Sequence, residues 1–397
     1  MIKCLNKFGE ELKMIDFVEL QWSRKYFECG SFVLYMAAKD YDPDVKYIQC
    51  IGRPETAMVQ KVVYEEKNNG EFVTLSGFFI DKVLDWSAYT IPISTVTFKG
   101  KAEVKKRIKQ WLLETVSDKY YEPGDVGGEP HWNVTGGTVN GARLSVDSDV
   151  PNELSISAEL GESTGSAMRK ALKSAGYTLI CRPIFSAKEE PGKPLLGIEL
   201  HVQKGKDLRD DVFFGEAWGN ISKCEYACDE SGIYSGFLAS QEVPEDFDSQ
   251  EEIHNFWKDG KRVRAIHEYV QFDSNVPSNL GHCVPLKVFN ASISGVEIKS
   301  ENESLIRSKM RDAAKLEMLN NYKQETISVD VLQHRFYYLK DYDLGDICTI
   351  NIDSIQKEFT SRLVEVREVH AKNKVDIELV FGTPNRQVYR KVDVQKK

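Results

Sequence analysis

Apolar and polar residues alternate along much of the N-terminal part of the chain. The segments IDFVELQWSRKYFECGSFVLYM, VKYIQCI and AMVQKVVYEEKNNGEFVTLSG all show this pattern between Ile15 and Gly77. A period of two places every second side chain on the same face of a β-strand. The last segment contains Asn68, Asn69 and Gly70, residues that suit the positive φ angles of a hairpin turn. The pattern therefore predicts strands that end in a β-hairpin.

A similar pattern recurs near the C-terminus. A shift of 305 positions aligns AMVQKVVYEEKNNGEFVTLSG with RLVEVREVHAKNKVDIELVFG, and each segment follows a short strand, YIQCI or DICTI. The aligned pairs include Met58 with Leu363, Val59 with Val364, Asn68 with Asn373, Phe72 with Ile377, Leu75 with Val380, and Gly77 with Gly382. We interpret this echo as an internal duplication, which predicts two related β-barrels.

Between the two copies the pattern changes to that of a small α/β unit. A helix is predicted from Lys101 to about Val116, and a second helix, SAMRKALKSAG, follows the strand ELSISAEL and ends at Gly176. Further strands are predicted around YTLICRPIF and LLGIELHVQ.

The predicted fold class is mainly β with α+β insertions, consisting of two related β-barrels and inserted small α/β domains. We expect the first barrel to be discontinuous, formed by residues 1–98 and 209–245, and to contain an inserted α/β domain at 99–208. A connecting α+β domain would occupy 246–325, and the second barrel 326–397. A chain of 397 residues is long for a single core, which agrees with several domains.

Composition and charge exclude several classes of protein. A hydrophobic content of 41% is typical of a soluble globular chain, and a net charge of −9 disfavours a protein that binds nucleic acid by neutralising phosphates. No run approaches the 18 apolar residues of a membrane span, and MIKCLNKFGEELK lacks the apolar core of a signal peptide. We therefore expect synthesis in the cytoplasm, without membrane integration.

Two short motifs resemble functional sites. GESTG, at Gly161–Gly165, matches the nucleophile elbow of hydrolases, which would make Ser163 a nucleophile. The alternative is that Ser163 or Thr164 is the N-cap of the following helix. The order of predicted elements favours the cap, because it lacks the parallel βαβ succession that a hydrolase needs.

DYDLGDICTI, from Asp341 to Ile350, resembles the start of a calcium loop. Such a loop needs a bidentate glutamate at its twelfth position, which is Ile352 here. We therefore predict a turn formed by Asp343, Leu344, Gly345 and Asp346, with a positive φ angle at Gly345. No catalytic, cofactor-binding or metal-ligating residue is predicted.

With these segments in view, the whole chain resembles the tail-hub, or tail-associated, proteins of phages and prophages that infect Gram-positive bacteria. The N-terminal resemblance lies in IDFVELQWSRKYFECGSFVLYM, with Trp22, Gly30 and Phe32. The middle part lies in GKDL at Gly205–Leu208 and in GNISKCEYACDESGIYSG, and the C-terminal part in YYLKDYDLGDICTI followed by VFG, which ends at Gly382.

The resemblance implies a fold similar to the hubs of contractile phages and the spike bases of type VI secretion systems. It implies a homotrimer whose six barrels form a ring beneath a hexameric distal tail or tail-tube protein. A spike or fibre protein would bind below, and DNA would pass through without specific binding. It implies no catalysis and no cofactor, and a location in the tail tip or baseplate of the virion.

Two functions of other classes stay open from the sequence. One is an esterase-like hydrolase that uses Ser163. The other is a carbohydrate-binding baseplate module that uses exposed aromatic residues such as Trp132.

Overall fold

The structure is a computed structural model that describes most of the chain. The described residues are 2–15, 17–67, 70–86, 88–89, 93–116, 141–185, 195–229, 232–249, 251–258, 260–271, 285–291, 293, 296–321, 324–371 and 374–382.

The described part is mostly β-structure, as the alternating pattern predicts. The N-terminal strands are β1 (Ile2–Leu5), β2 (Glu11–Ile15), β3 (Glu19–Lys25), β4 (Ser31–Ala37), β5 (Tyr47–Cys50), β6 (Thr56–Lys67) and β7 (Gly70–Phe79). A central group comprises β8 (Ile93–Lys99), α1 (Lys101–Val116), β9 (Gly141–Leu144), β10 (Glu153–Ala158), α2 (Thr164–Ser174), β11 (Thr178–Phe185) and β12 (Leu195–Gln203).

The remaining elements complete the chain. They are β13 (Phe213–Gly215), β14 (Ile221–Asp229), β15 (Gly236–Val243), β16 (His254–Lys258), β17 (Lys261–Gln271), β18 (Leu286–Asn290), α3 (Glu303–Asn320), β19 (Gln324–Val331), β20 (Ile347–Ile352), β21 (Lys357–Ala371) and β22 (Lys374–Gly382). No helix among the described residues combines the length and apolar character needed to cross a membrane.

One sheet of 13 strands runs through both ends of the sequence. Its strand order is β14-β19-β22-β21-β3-β4-β7-β6-β5-β1-β2, and β20 joins it by pairing with β21 and β13. The order contains the same arrangement twice: β3-β4-β7-β6-β5 and β14-β19-β22-β21-β20. We call β1–β7 module 1, and β13, β14 and β19–β22 module 2. The modules differ at one end, where β1 is antiparallel to β5 but β13 is parallel to β20.

The two hairpins that suggested the duplication occupy equivalent places in the modules. Hairpin β6–β7 has a bulge between Val59 and Lys61, and hairpin β21–β22 has one between Leu363 and Glu365. In each hairpin, two residues separate the paired strand ends, at 68–69 and 372–373. Bulge and loop therefore agree on an offset of 304, not 305. The prediction of equivalent hairpins is confirmed, but Gly77 corresponds to Phe381 rather than to Gly382.

An α/β insertion separates the modules along the chain. It contains a two-stranded sheet, β10-β8, and a three-stranded sheet, β11-β12-β9. Its core is formed by buried side chains from α1, α2 and these strands, among them Val104, Ile108, Leu154, Met168, Leu172 and Ile198. Both predicted helices and the end of the second at Gly176, which has φ +77°, are confirmed.

Residues 226–326 form a second compact unit, which we describe by itself. Its four-stranded sheet has the order β16-β17-β15-β18. Helix α3 packs on this sheet through a core that includes Ala239, Val243, Ile266, Ile306 and Met310.

Strand pairing differs from the expected boundaries of the first barrel, which included residues 209–245. Strand β13 pairs with β20, β14 pairs with β19, and β15 belongs to the four-stranded sheet of the second unit. The difference arises because the pairing partners of β13 and β14 lie more than 90 residues further along the chain. The other boundaries and the closure of each module into a barrel remain predictions.

The bulge in β6 requires glycine on the opposite strand. A methyl group added at Gly77 would lie 1.9 Å from the carbonyl oxygen of Met58. We expect Gly77→Ala to lower the free energy of unfolding by about 1–3 kcal/mol, because the backbone at the bulge must shift. Gly232→Ala is the control, since a methyl group there meets no atom within 4 Å. Equal unfolding curves for the two variants in a denaturant titration would contradict this account.

Candidate functional site: the junction between the modules

Among the described strands, the two modules are joined by the antiparallel pairing of β21 with β3. Residues Glu365–Ala371 of β21 lie opposite Glu19–Lys25 of β3. Buried and more exposed side chains alternate along β3, and Leu20, Trp22 and Arg24 are the buried ones that point into the protein. We use the name module junction for this strand pair together with the buried charged side chains that contact it and the turn at residues 343–346.

Arg24 is the central charged group of the module junction. Its side chain is 1% exposed, and it donates from Nε to Glu55 Oε1 at 2.7 Å and from Nη1 to Asp343 Oδ1 at 2.6 Å. Nη1 also donates to the hydroxyl of Tyr338. Burial opposes the charge, but Tyr338, Glu55 and Asp343 outweigh it and hold the pKa of Arg24 above its usual value. Module 1 supplies Arg24 and Glu55, and module 2 supplies Asp343 and Tyr338.

A second ion pair crosses the same boundary. Arg53 of module 1 donates from Nε to Glu368 Oε1 at 2.7 Å and makes a further bond to Oε2. The ring of His370 lies 2.9 Å from Glu368 Oε2. Burial would raise the pKa of Glu368, but the bonds to His370 and Arg53 keep it below its usual value. The fully buried carboxylate is therefore charged and paired.

The aspartates of DYDLGDICTI turn the chain, as predicted. The Asp346 carboxylate accepts bonds from the backbone N–H of Asp343 at 2.9 Å and of Lys206 at 2.7 Å. The N–H of Leu344 donates to the Asp343 side chain at 2.6 Å, and Gly345 has φ +96°. No group of three or more His, Cys, Asp or Glu side chains within the described ranges is placed to hold a metal ion.

The turn packs against two other segments of the chain. A methyl group added at Gly205, in the GKDL segment, would lie 1.8 Å from the carbonyl oxygen of Gly345. One added at Gly345 would lie 2.1 Å from the ring of Tyr26. The Tyr26 hydroxyl accepts a bond from the N–H of Gly205 at 3.1 Å and donates to the carbonyl of Gly176 at 3.0 Å. Gly205, Gly345 and Tyr26 thus fix the position at which the chain leaves the α/β insertion and enters module 2.

The other predicted motif residues lie in separate places. Trp22 is fully buried on β3, and its ring centroid lies 4.7 Å from that of Phe79. Gly30 lies close to Phe79, since a methyl group on it would meet the ring at 2.3 Å. Gly382 ends β22 with φ +93°. Through β3, Trp22 shares the module junction with the 343–346 turn, whereas Gly30 belongs to the core of module 1.

The charged side chains of the module junction were not predicted from the sequence as residues of a site. Arg24 continues the buried period of Leu20 and Trp22, and Glu368 continues that of Val366, so the signal was the strand alternation itself. A charged residue at a core position of a strand indicates a buried partner elsewhere.

Ser163 is the N-cap of helix α2, as the alternative interpretation predicted. Its hydroxyl oxygen accepts a bond from the N–H of Ser166 at 3.1 Å and donates to Asp85 at 3.2 Å. Asp85 is in turn paired with Arg169 at 2.7 Å. No histidine of the described chain hydrogen-bonds to Ser163. Trp132, the residue suggested for carbohydrate binding, lies outside the described residues.

The chain belongs to the family described as Siphovirus ReqiPepy6 Gp37-like protein, whose model matches residues 10–383. The resemblance to phage tail proteins is therefore confirmed. A search of curated proteins finds no match.

Solved structures show a similar fold over nearly the whole chain. A tail protein from Neisseria meningitidis MC58 is 13% identical with a TM-score of 0.55, covering 96% of this chain and 95% of its own. A 43 kDa tail protein of prophage MuSo2 from Shewanella oneidensis is 10% identical with a TM-score of 0.51, covering 96% and 98%. The mainly β fold of phage tail proteins is thus confirmed.

Gly345 allows a test of the turn. We expect Gly345→Ala to lower the free energy of unfolding by about 1–3 kcal/mol from its positive φ alone, with a further loss from the displaced Tyr26 ring. Gly52→Ala is the matched control, because Gly52 has φ +82° but open space around its Cα. Thermal melts should show a larger shift for Gly345→Ala. Equal shifts would mean that contact with Tyr26 contributes nothing.

The Glu368 ion pair predicts a dependence on pH. The folded-state pKa of Glu368 lies below the ordinary value of 4.5, so its stabilisation is complete above that pH and is lost as the pH falls through the folded pKa. At pH 7 we expect Glu368→Gln to cost about 3 kcal/mol, because Arg53 loses its charged partner. Denaturant titrations should show the difference from wild type shrinking below pH 4.5.

Glu358→Gln is the control for this measurement, since Glu358 lies exposed on the same strand. A difference for Glu368→Gln that stays constant across the acid range would contradict the ion-pair account.

Proposed function

We propose that the chain is a structural hub of a phage or phage-like tail tip or baseplate, active as a homotrimer and not as an enzyme. It links the tail tube or distal tail ring to a spike or fibre. The observation that carries the proposal is the repeated strand order, which gives each chain two similar modules joined side by side. Membership of the siphovirus family and the shared fold with phage tail proteins support it.

Two modules in each chain allow an assembly with threefold symmetry to bind a ring with sixfold symmetry. Three chains supply six similar modules, which can match a hexameric tail ring, while the chain itself repeats only three times. A trimeric spike or fibre can then bind to the domains that are not repeated. We assign the tail-ring contact to the two modules, and the contact with the spike or fibre to the remaining domains.

The charges on the sheet suit a passage through which DNA slides. On the face turned away from the core, Arg367 pairs with Glu365 at 2.9 Å and with Glu378 at 3.2 Å. On the same face, Lys67 pairs with Glu65 at 2.7 Å and Lys374 with Asp376 at 2.8 Å. A cation that already has a carboxylate partner gains little by binding phosphate. With the net charge of −9, this supports a passage that does not hold the duplex.

The buried ionic groups support a structural role. Glu368 is bound by Arg53 and His370, and Asp346 is bound by two backbone amides. Ser163 is occupied as a helix cap. Each group thus has a partner that explains its position without a substrate.

Reconstruction of the assembled tail particle tests this proposal. We expect three copies of the chain at the tail tip, arranged with pseudo-sixfold symmetry around the passage. One copy or six copies per tip would contradict the proposal, as would a passage lined by clustered, unpaired lysine and arginine side chains.

A further inference from the structure

Strand β6 has an edge without a neighbour over half its length. Its first residues, Thr56–Met58, pair with β5, and residues 57–67 pair with β7 around the bulge. Over residues 61–67, no described strand lies on the side of β6 away from β7. The backbone N–H and C=O groups of this edge are therefore available to another strand.

The equivalent edge in module 2 is covered. At the offset of 304, residues 61–67 correspond to residues 365–371 of β21, which pair with β3. Val366 and Glu368, which point into the protein there, are fully buried. Their counterparts, Val62 and Tyr64, are 46% and 56% exposed. This difference in exposure is expected, because β3 covers this edge of β21 and no described strand covers the equivalent edge of β6.

The sheet also ends in a strand that could supply this partner. Strand β14 occupies in module 2 the position that β3 occupies in module 1, and among the described strands it pairs only with β19. The inward side chains of β3 are buried, whereas all side chains from Ser222 to Asp229 are partly or fully exposed. The chain therefore carries both halves of a second module junction, on opposite sides of its two modules.

We propose that residues 61–67 of β6 in one copy pair antiparallel with β14 of a second copy, repeating between chains the junction that β21 and β3 form within a chain. We call this contact the inter-chain seam. It rests on the proposed trimeric hub and identifies the strands that build it. Neither strand contains proline, so every residue keeps an N–H for pairing. The two edges are different surfaces, so the contact is heterologous: it does not give a two-fold dimer, and it gives a ring if the rotation between copies closes.

Site-specific photocross-linking tests the seam directly. The full chain is made with p-benzoylphenylalanine in place of Tyr64, mixed with isotopically heavy wild-type chain, and irradiated over a concentration series. We expect mass spectrometry to find links from position 64 to residues 221–229 of the heavy copy. Links to other parts of a second copy, or only within one copy, would overturn the proposal.

A second measurement uses the exposed apolar side chains. We expect Val62→Asp and Tyr64→Asp to weaken self-association in sedimentation equilibrium by about tenfold or more, because the seam would bury an unpaired carboxylate. Their melting temperature as monomers should stay near that of wild type, since both positions are exposed there. Val146→Asp is the matched control, at a valine that is 92% exposed outside the sheet.

The outcomes separate this proposal from the hub itself. A trimer that survives both substitutions, or cross-links through other residues, overturns the inter-chain seam and leaves the hub standing. A chain that stays monomeric at every concentration overturns the seam as a contact between copies, while the copy number in the particle still decides the hub.

Discussion

The pairing of β21 with β3 is the contact on which the rest of the sheet depends. It joins two modules that are distant in sequence, and it places Arg24 where only groups from both modules can compensate its charge. Burying an unpaired guanidinium is costly, whereas one that is paired with carboxylates is tolerated. The buried network therefore favours one alignment of the modules over shifted ones, because a one-residue slip would turn Arg24 to the other face.

The α/β insertion is tied to this junction by close packing of the backbone. Gly205, Gly345 and Tyr26 approach so closely that no side chain fits at either glycine. The carboxylate of Asp346 accepts a hydrogen bond from the backbone N–H of Lys206, the residue that follows Gly205. A long insertion thus returns to the sheet at a fixed point, so that its presence does not disturb the pairing of β13 and β20.

Repetition gives a physical basis for assembly. In module 2 this edge is paired within the chain, whereas the equivalent edge of module 1 has no partner among the described strands. Val366 is fully buried and its counterpart Val62 is 46% exposed, as this difference in pairing predicts. Backbone pairing is the same between chains as within one, so the proposed inter-chain seam needs no type of contact that the chain does not already make between β21 and β3.

The sequence by itself determined the strands, the two helices of the insertion, the duplicated hairpin and the turn at Gly345, because alternation, capping and positive φ are local properties of neighbouring residues. It placed the duplication one residue away from the true offset, because the like residues that it aligned, such as Gly77 with Gly382, are not at equivalent positions of the two hairpins. Only the tertiary structure decided that β14 joins module 2 and that Arg24 meets Glu55 and Asp343. Backbone hydrogen bonds are alike in every strand, so the choice among distant edges, and the partner of a buried charge, emerge only when the strands pack together.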